Sequence, residues 1–263
     1  MSPALEFDEA ASRAVEAAYL TPDVVAQRCT IMKALEVRPG ERVLDIGSGP
    51  GLLAYDLAAT VGAEGRLCGI DMSEAMVAMA RSRCAGQSQA SFEVADACTL
   101  PFDADAFDVA VSTQVYEYVA DIPGALAELR RVLRPGGRVA ILDADYDSLV
   151  IHTEDPARLA RIVTAWDEHF VHAGLPRTLA PSLREAGFVV RHRDVVPMFN
   201  PEYHPNTFGY HLTMMMALFA VGRCGVTKED AEAWLAELAA LGRSGSYFYS
   251  LNRYLFIAEK PAG

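Results

Sequence analysis

The chain has 263 residues, of which 51% are hydrophobic and 22% are charged, a composition typical of a globular protein with one sizeable core. Its formal net charge of −12 and pI of about 4.9 argue against a nucleic-acid partner, because such proteins bind phosphates through basic surfaces. The longest apolar stretch, residues 212–221, is roughly half the length that a membrane span requires, so no span is expected.

The N-terminal region, residues 1–39, predicts helices. Residues 1–9 lack the basic and apolar segments of a signal peptide. Residues 3–36 have the pattern of two helices, separated at Thr21-Pro22-Asp23, where Thr21 can cap the second helix and Pro22 suits its first turn. Pro39-Gly40 then ends the region.

The central region, residues 40–150, alternates short apolar strands with helices, a pattern that predicts a parallel sheet covered on both faces. Ser73 is the expected N-cap of the second of these helices. The predicted strands are 42–46, 66–70, 91–95, 107–112 and 138–142, and the predicted helices are 51–61, 73–84 and 121–133.

The C-terminal region, residues 151–263, changes this pattern. Its predicted strands are 187–196 and 247–259, and its predicted helices are 155–173, 177–186, 206–222 and 227–242, the last opened by Thr227 as N-cap. Roughly fifty residues separate the two strands, so we expect the segment at about 198–245 to form a helical cap over the sheet. We expect a single domain over residues 1–263.

A glycine-rich turn follows the first predicted strand, in the order Asp45-Ile46-Gly47-Ser48-Gly49-Pro50-Gly51. Glycines permit the tight turn and let the backbone approach a ligand closely. A Walker loop is excluded because Leu52 follows Gly51 where a lysine is needed. A dinucleotide fingerprint fits poorly, since Gly51 arrives one residue early. A carboxylate just before the loop, at Asp45, disfavours a pyrophosphate and suits a cationic ligand such as S-adenosylmethionine (SAM).

Asp71 ends the second predicted strand in the order Gly69-Ile70-Asp71-Met72-Ser73. An acidic residue at this place can accept hydrogen bonds from both ribose hydroxyls of a nucleoside. The alternative role, capping the next helix, is already filled by Ser73, which favours the ribose role.

These motifs together resemble those of class I SAM-dependent methyltransferases. Three further segments agree in order: Ala95-Asp96-Ala97 with Leu100-Pro101-Phe102, then residues 107–112, then residues 133–138 around Pro135-Gly136-Gly137. The resemblance covers about residues 40–143. It implies an α/β, Rossmann-like, doubly wound and mostly parallel seven-stranded sheet, with N-terminal helices and a helical cap inserted before the last strand.

The resemblance also implies roles for individual residues toward SAM. The glycine loop, including Ser48, would contact the methionine part, Asp71 would hold the ribose with Met72 beside it, and Asp96 would face the adenine amino group with Ala97 alongside. Gln114 would lie near the methionyl group or the acceptor. Tyr19 and Arg28 would close over the cofactor, or else are an ordinary packing tyrosine and a surface arginine.

Within the family, the chain looks most like the small-molecule branch that includes quinone-biosynthesis (ubiquinone and menaquinone) and arsenite methyltransferase-like proteins. Ser112-Thr113-Gln114-Val115 stands where enzymes that methylate nucleobase or glutamine amino groups carry Asn/Asp-Pro-Pro-Tyr. The pocket cysteines of arsenite enzymes and the acidic metal set of catechol enzymes are not evident. These features predict methylation of a small, moderately apolar or aromatic acceptor on oxygen, nitrogen or carbon, with no metal.

A base assists methyl transfer when the attacking atom carries a proton. Candidates are His169, Tyr146 and Glu117, and our hypothesis from the sequence is that His169 or Tyr146 deprotonates the acceptor. The methionine-rich segment 210–219 either packs on the core or lines an apolar acceptor site.

Five scattered cysteines without a CxxC motif predict reduced thiols in a cytoplasmic protein. A homodimer is left open. Two alternatives remain: a protein of this fold that binds SAM without transferring its methyl group, such as a cyclase or regulator, and an NAD(P)-linked oxidoreductase.

Overall fold

The computed structural model describes residues 9–262, with the side chains described from residue 13 onward. The predictions for residues 1–8, including the start of the first helix, lie outside the described residues. The helices are α1 Glu9–Tyr19, α2 Pro22–Leu35, α3 Leu52–Val61, α4 Glu74–Arg83, α5 Ile122–Val132, α6 Pro156–Asp167, α7 Pro176–Glu185, α8 Phe208–Ala220 and α9 Lys228–Ser244.

Within residues 9–262, seven strands form one sheet in the order β3-β2-β1-β4-β5-β7-β6. β1 to β5 run parallel to one another, while β7 is antiparallel to both β5 and β6, so the predicted mostly parallel Rossmann-like sheet is confirmed. The strands are β1 Arg42–Ile46, β2 Arg66–Asp71, β3 Ala90–Val94, β4 Phe107–Thr113, β5 Leu133–Ile151, β6 Val189–Asn200 and β7 Tyr249–Glu259.

The central strands are mostly apolar because helices cover both faces of the sheet. α2, α3 and α4 pack on one face and α5 and α7 on the other, each forming its own buried cluster with the strands. α5 shows the reason: its buried residues recur at helical spacing and form one apolar stripe, namely Ile122, Ala125, Leu126, Leu129 and Val132.

A third buried cluster joins α1, α6, α8 and α9 to the far ends of β5, β6 and β7. The inserted helices α8 and α9 therefore lie over one end of the sheet. The N-caps predicted for α4 and α9 are present, because Ser73 accepts from the Met76 amide at 3.3 Å and Thr227 forms a capping box with Asp230. In the described residues, no helix is long and apolar enough to cross a bilayer.

Three local predictions were wrong. The Thr21 hydroxyl donates to the Ala18 carbonyl at 2.7 Å and does not cap α2. The fifth strand was predicted to end at residue 142, but antiparallel pairing with β7 extends it to Ile151. The predicted helix 155–173 ends at Asp167, because the amides of Val171 and His172 donate to the Glu117 carbonyl at 3.1 and 2.9 Å.

Candidate cofactor and acceptor site

The glycine loop occupies the turn between β1 and α3. Gly47, Gly49 and Gly51 have φ angles of +70°, +51° and +77°, a left-handed conformation that side chains disfavour. A Cβ atom at Gly47 would lie 2.1 Å from the Val115 side chain, and one at Gly51 would lie 2.8 Å from the backbone of α4. A Cβ at Gly49 would meet nothing within 4 Å. Gly47 and Gly51 therefore permit close packing, whereas Gly49 faces open space.

Asp71 joins the end of β2 to this loop. Its Oδ2 accepts a hydrogen bond from the Gly49 amide at 2.9 Å, and its Oδ1 accepts from the Ser73 amide at 2.9 Å. Burial raises the pKa of this carboxyl, while the amides of Ser73, Gly49 and Met72 oppose the shift. A carboxylate has about four lone-pair positions, so Asp71 retains acceptor capacity for a ligand's hydroxyl groups.

Asp45 lies at the carboxyl end of β1 and is 1% exposed. The pKa of Asp45 is raised to about 7, mainly by burial and to a smaller extent by the negative charge of Asp71. Its Oδ2 has no hydrogen-bond partner among the described residues, nor do the buried hydroxyls of Ser48 and Ser112 on the same edge of the sheet. Buried polar atoms are normally paired, so this edge has the polar groups that an ammonium-bearing ligand would engage.

The predicted adenine side of the site is more open. Met72 is 73% exposed directly after Asp71. Asp96 is exposed and its Oδ1 accepts from the Cys98 amide at 2.8 Å, while Ala97 is buried behind it. Gln114 follows β4 with a φ of +58°, and its Nε2 lies 3.5 Å from a Glu117 oxygen.

Tyr19 and Arg28 meet at the turn between α1 and α2. The Arg28 Nη1 donates to the Tyr19 carbonyl at 2.8 Å, and its Nε lies 3.4 Å from an Asp56 carboxylate oxygen. The Tyr19 hydroxyl lies within electrostatic reach of both Asp71 and Glu117, and its burial raises its pKa. Tyr19 thus interacts electrostatically with Asp71 and with Glu117, and Arg28 supports the turn that carries it.

Comparisons with known proteins agree with this geometry. A family model described as a methyltransferase domain matches residues 44–141. An uncharacterized 37.1 kDa protein of transposon TN4556 from Streptomyces fradiae is 34% identical over 235 residues, covering 88% of this chain and 66% of that protein. The 2-phytyl-1,4-naphtoquinone methyltransferase of Synechococcus elongatus is 43% identical over 109 residues, covering 40% of this chain and 47% of that protein. Residues 44–141 thus match a methyltransferase domain, and the resemblance to class I SAM-dependent methyltransferases expected from the sequence is confirmed.

The resemblance of this chain to the quinone-biosynthesis branch is confirmed, and the match to a methyltransferase domain agrees with the predicted cofactor, SAM. Matches span about half to two thirds of these curated relatives' length. The structure of Haemonchus contortus phosphoethanolamine N-methyltransferase 2 in complex with SAM has the same fold. It superposes with a TM-score of 0.64 at 20% identity, covering 98% of this chain and 58% of that one.

Two of the chain's buried carboxyl groups lie beyond the glycine loop. Glu117, in a 3₁₀ turn at Tyr116–Tyr118, is 1% exposed, and its Oε2 accepts from the Ala144 amide at 3.3 Å. Burial raises the pKa of Glu117 to about 7, although the cationic Arg253 opposes the shift. Asp143, on β5, accepts from the Val115 amide at 3.0 Å through Oδ1, and burial and Glu117 raise its pKa.

His169 and Tyr146, the two bases preferred from the sequence, are brought together by Phe170. The ring centroids of His169 and Tyr146 lie 3.7 and 4.2 Å from that of Phe170. His169 Nδ1 contacts the Trp166 carbonyl, and because a carbonyl only accepts, the neutral ring carries its proton there. Burial lowers the pKa of His169 to about 4, and burial raises that of Tyr146 well above its usual range. Because of these shifts in pKa, His169 and Tyr146 are less suited than Glu117 to proton transfer near neutral pH.

Sequence reasoning missed Arg253 of β7, which is 1% exposed and lies within electrostatic reach of Glu117. The available signal was a single charged residue in the segment 247–257, which is otherwise aromatic and aliphatic apart from Ser250 and Asn252. The methionine-rich helix α8 packs mainly on other helices, and its first residue, Phe208, covers the Arg253 guanidinium at 4.2 Å. No group of side chains with metal-binding spacing occurs in the described residues.

Proposed function

We propose that this chain transfers the methyl group of SAM to a small, moderately apolar or aromatic acceptor, with Glu117 as the proton acceptor. The observation that carries the proposal is the packing of the segment after β4 on the glycine loop, where a Cβ atom at Gly47 would lie 2.1 Å from the Val115 side chain. Glu117 follows two residues later and accepts from the Ala144 amide at 3.3 Å, so a buried carboxyl that titrates near neutral pH lies in the turn next to this loop.

In this proposal, bound SAM supplies a methyl group already activated by its sulfonium. The glycine loop and Asp45 bind the methionine part, Asp71 holds the ribose, and Asp96 receives the adenine amino group beside Ala97 and Met72. Tyr19, carried by the turn that Arg28 supports, closes over the site. These residues align the reacting atoms and exclude water, which is most of what an activated methyl donor requires.

Glu117 receives the proton that the acceptor loses. With a pKa of about 7, Glu117 is partly ionised at neutral pH. Its proton affinity is higher than that of an ordinary carboxylate. Gln114, at 3.5 Å, orients the same carboxylate toward the site. The aromatic side chains around Phe170 favour an acceptor with an apolar or aromatic body.

The experiment has two parts. Calorimetric titration with S-adenosylhomocysteine compares the wild type, Asp71→Asn and the control Glu64→Gln, whose side chain is exposed between α3 and β2. We expect binding to weaken about tenfold or more only in Asp71→Asn, since it loses charge-assisted acceptors. Methyl-labelled SAM is then incubated with a cell extract that is split into organic and aqueous fractions. Label in the organic fraction supports an apolar acceptor, whereas binding without any transfer contradicts the proposed activity.

A further inference from the structure

Arg253 is a fully buried cation in the last strand. Arg253 pairs with Ala144 of β5. Because β7 is antiparallel to β5, this pairing places Arg253 at the end of the sheet where the chain of β5 leaves the core. A guanidinium stays charged in proteins, and a buried charge is costly unless it is paired. Neighbouring groups are therefore needed to compensate the positive charge of Arg253.

The protein partners of Arg253 are incomplete. One guanidinium nitrogen, Nη1, donates to the neutral side-chain oxygen of Gln27, and the Phe208 ring covers one face at 4.2 Å. Nε is buried without a hydrogen-bond partner in the part of the chain that the structure describes. The side chain thus holds a fixed orientation and keeps one N–H donor free.

Ionisable groups surround Arg253 from several elements. Glu117 and Asp143 lie within electrostatic reach, as do the hydroxyls of three tyrosines, Tyr19 of α1, Tyr146 of β5 and Tyr249 of β7. Burial favours the protonated form of both carboxyls, so they compensate the arginine only in part near neutral pH. Ala144, whose amide donates to Glu117 Oε2 at 3.3 Å, is the residue that pairs with Arg253, so Arg253 lies next to the proposed proton acceptor.

We propose that Arg253 binds the acceptor through an acidic hydroxyl, that of a phenol or an enol, and stabilises it as an oxyanion. This inference rests on the proposed function. The hydroxyl proton moves to the Glu117 carboxylate, and the negative oxygen is held by the free Nε–H of Arg253. An electron pair of the oxyanion, from oxygen or from its conjugated carbon, forms the bond to the methyl carbon. The electron pair of the breaking C–S bond remains on sulfur, which becomes neutral.

The test uses 4-nitrophenol as the probe, because its ionised form absorbs visible light and its neutral form does not. The probe is titrated into the full chain saturated with S-adenosylhomocysteine, at pH values below the probe's own pKa in water. We expect the ratio of phenolate to phenol to rise about tenfold or more on binding, which corresponds to one pKa unit. Arg253→Met should abolish this rise and Arg253→Lys should reduce it, since lysine keeps the charge but not the planar donor set.

Arg191→Met is the matched control, because Arg191 is an exposed arginine of the neighbouring strand β6 that pairs with Glu259. It should ionise the probe as the wild type does. A wild type that binds the probe in its neutral form, that fails to bind it, or that ionises it equally after Arg253→Met overturns the inference. Where Arg253→Met does not fold, a wild type that leaves the bound probe neutral still overturns the inference, and Arg253→Lys tests the part played by the arginine. Failure of S-adenosylhomocysteine to bind is separate, since it contradicts the proposed function itself.

Discussion

The Gly49 amide donates a 2.9 Å hydrogen bond to the Asp71 carboxylate, which links the glycine loop to the end of the neighbouring strand. The residue that we propose binds the ribose, Asp71, therefore also stabilises the conformation of the loop. A ligand that engages Asp71 would also stabilise the conformation of the loop, because the same carboxylate serves both.

Gly49→Ala tests whether the open space above the loop is ligand space. The new methyl group would meet no protein atom within 4 Å, so only the left-handed backbone opposes it, at a cost of roughly 1–2 kcal/mol. We expect a modest loss of thermal stability and at least about a tenfold loss of S-adenosylhomocysteine affinity, because the methyl group would occupy the ligand's place.

Gly40→Ala is its control, since Gly40 has a φ of +84° and equally open surroundings in the turn before β1. It should lose similar stability and keep full affinity. Equal affinity losses in the two variants would contradict a ligand at Gly49.

Asp45→Asn tests the burial of an ionisable group. The folded-state pKa of about 7 exceeds the ordinary value of 3.8, so the wild type loses stability as pH rises between these values. Each pKa unit corresponds to about 1.4 kcal/mol, and the amide removes this penalty. We expect Asp45→Asn to be more stable than the wild type by on the order of 2 kcal/mol at pH 8, with a smaller difference at pH 5, while binding S-adenosylhomocysteine more weakly. Urea unfolding at both pH values measures this, and a pH-independent difference would contradict it.

Glu117→Gln tests the proposed proton acceptor. Because ionised Glu117 is the active form, wild-type turnover should increase as pH rises through about 7. The variant should lose this dependence together with about 10²–10⁴-fold of turnover. The pH–rate profile, measured with the acceptor identified by labelling, decides this, and Glu64→Gln should retain the wild-type profile. An unchanged profile in Glu117→Gln would remove Glu117 from the mechanism.

His169 should stay neutral across the working pH range. Its folded-state pKa of about 4 lies below the ordinary 6.5, so the protein loses stability as pH falls from about 6.5 to 4, where the unfolded chain takes up the proton first. Nitrogen NMR of histidine-labelled protein should show a constant Nδ1–H form from pH 8 to pH 5, with His169→Gln providing the assignment. A titration within that range would restore His169 as a candidate base. Wild-type turnover in both His169→Ala and Tyr146→Phe would exclude these two groups.

The sequence by itself determined the parallel part of the sheet, and it predicted the residues that we propose for the cofactor half of the site. The reason is that these features are local: Asp45, the glycine loop and Asp71 each sit where a strand turns into a helix, and strand periodicity marks those places. The lengths of the predicted strands β1 to β4 needed little correction for the same reason.

The tertiary structure decided which groups we propose for the acceptor half, because the sequence left Glu117 as one of three candidate bases and did not indicate Arg253. Glu117, Asp143 and Arg253 come from a turn and two strands far apart in the chain, and their proton affinities depend on burial that no local pattern encodes. The same long-range contacts changed the local predictions, since β7 lengthens β5 and the Glu117 carbonyl draws residues 171 and 172 out of the predicted helix. Local propensity yields to such contacts because burial and completed backbone hydrogen bonds contribute more free energy than it does.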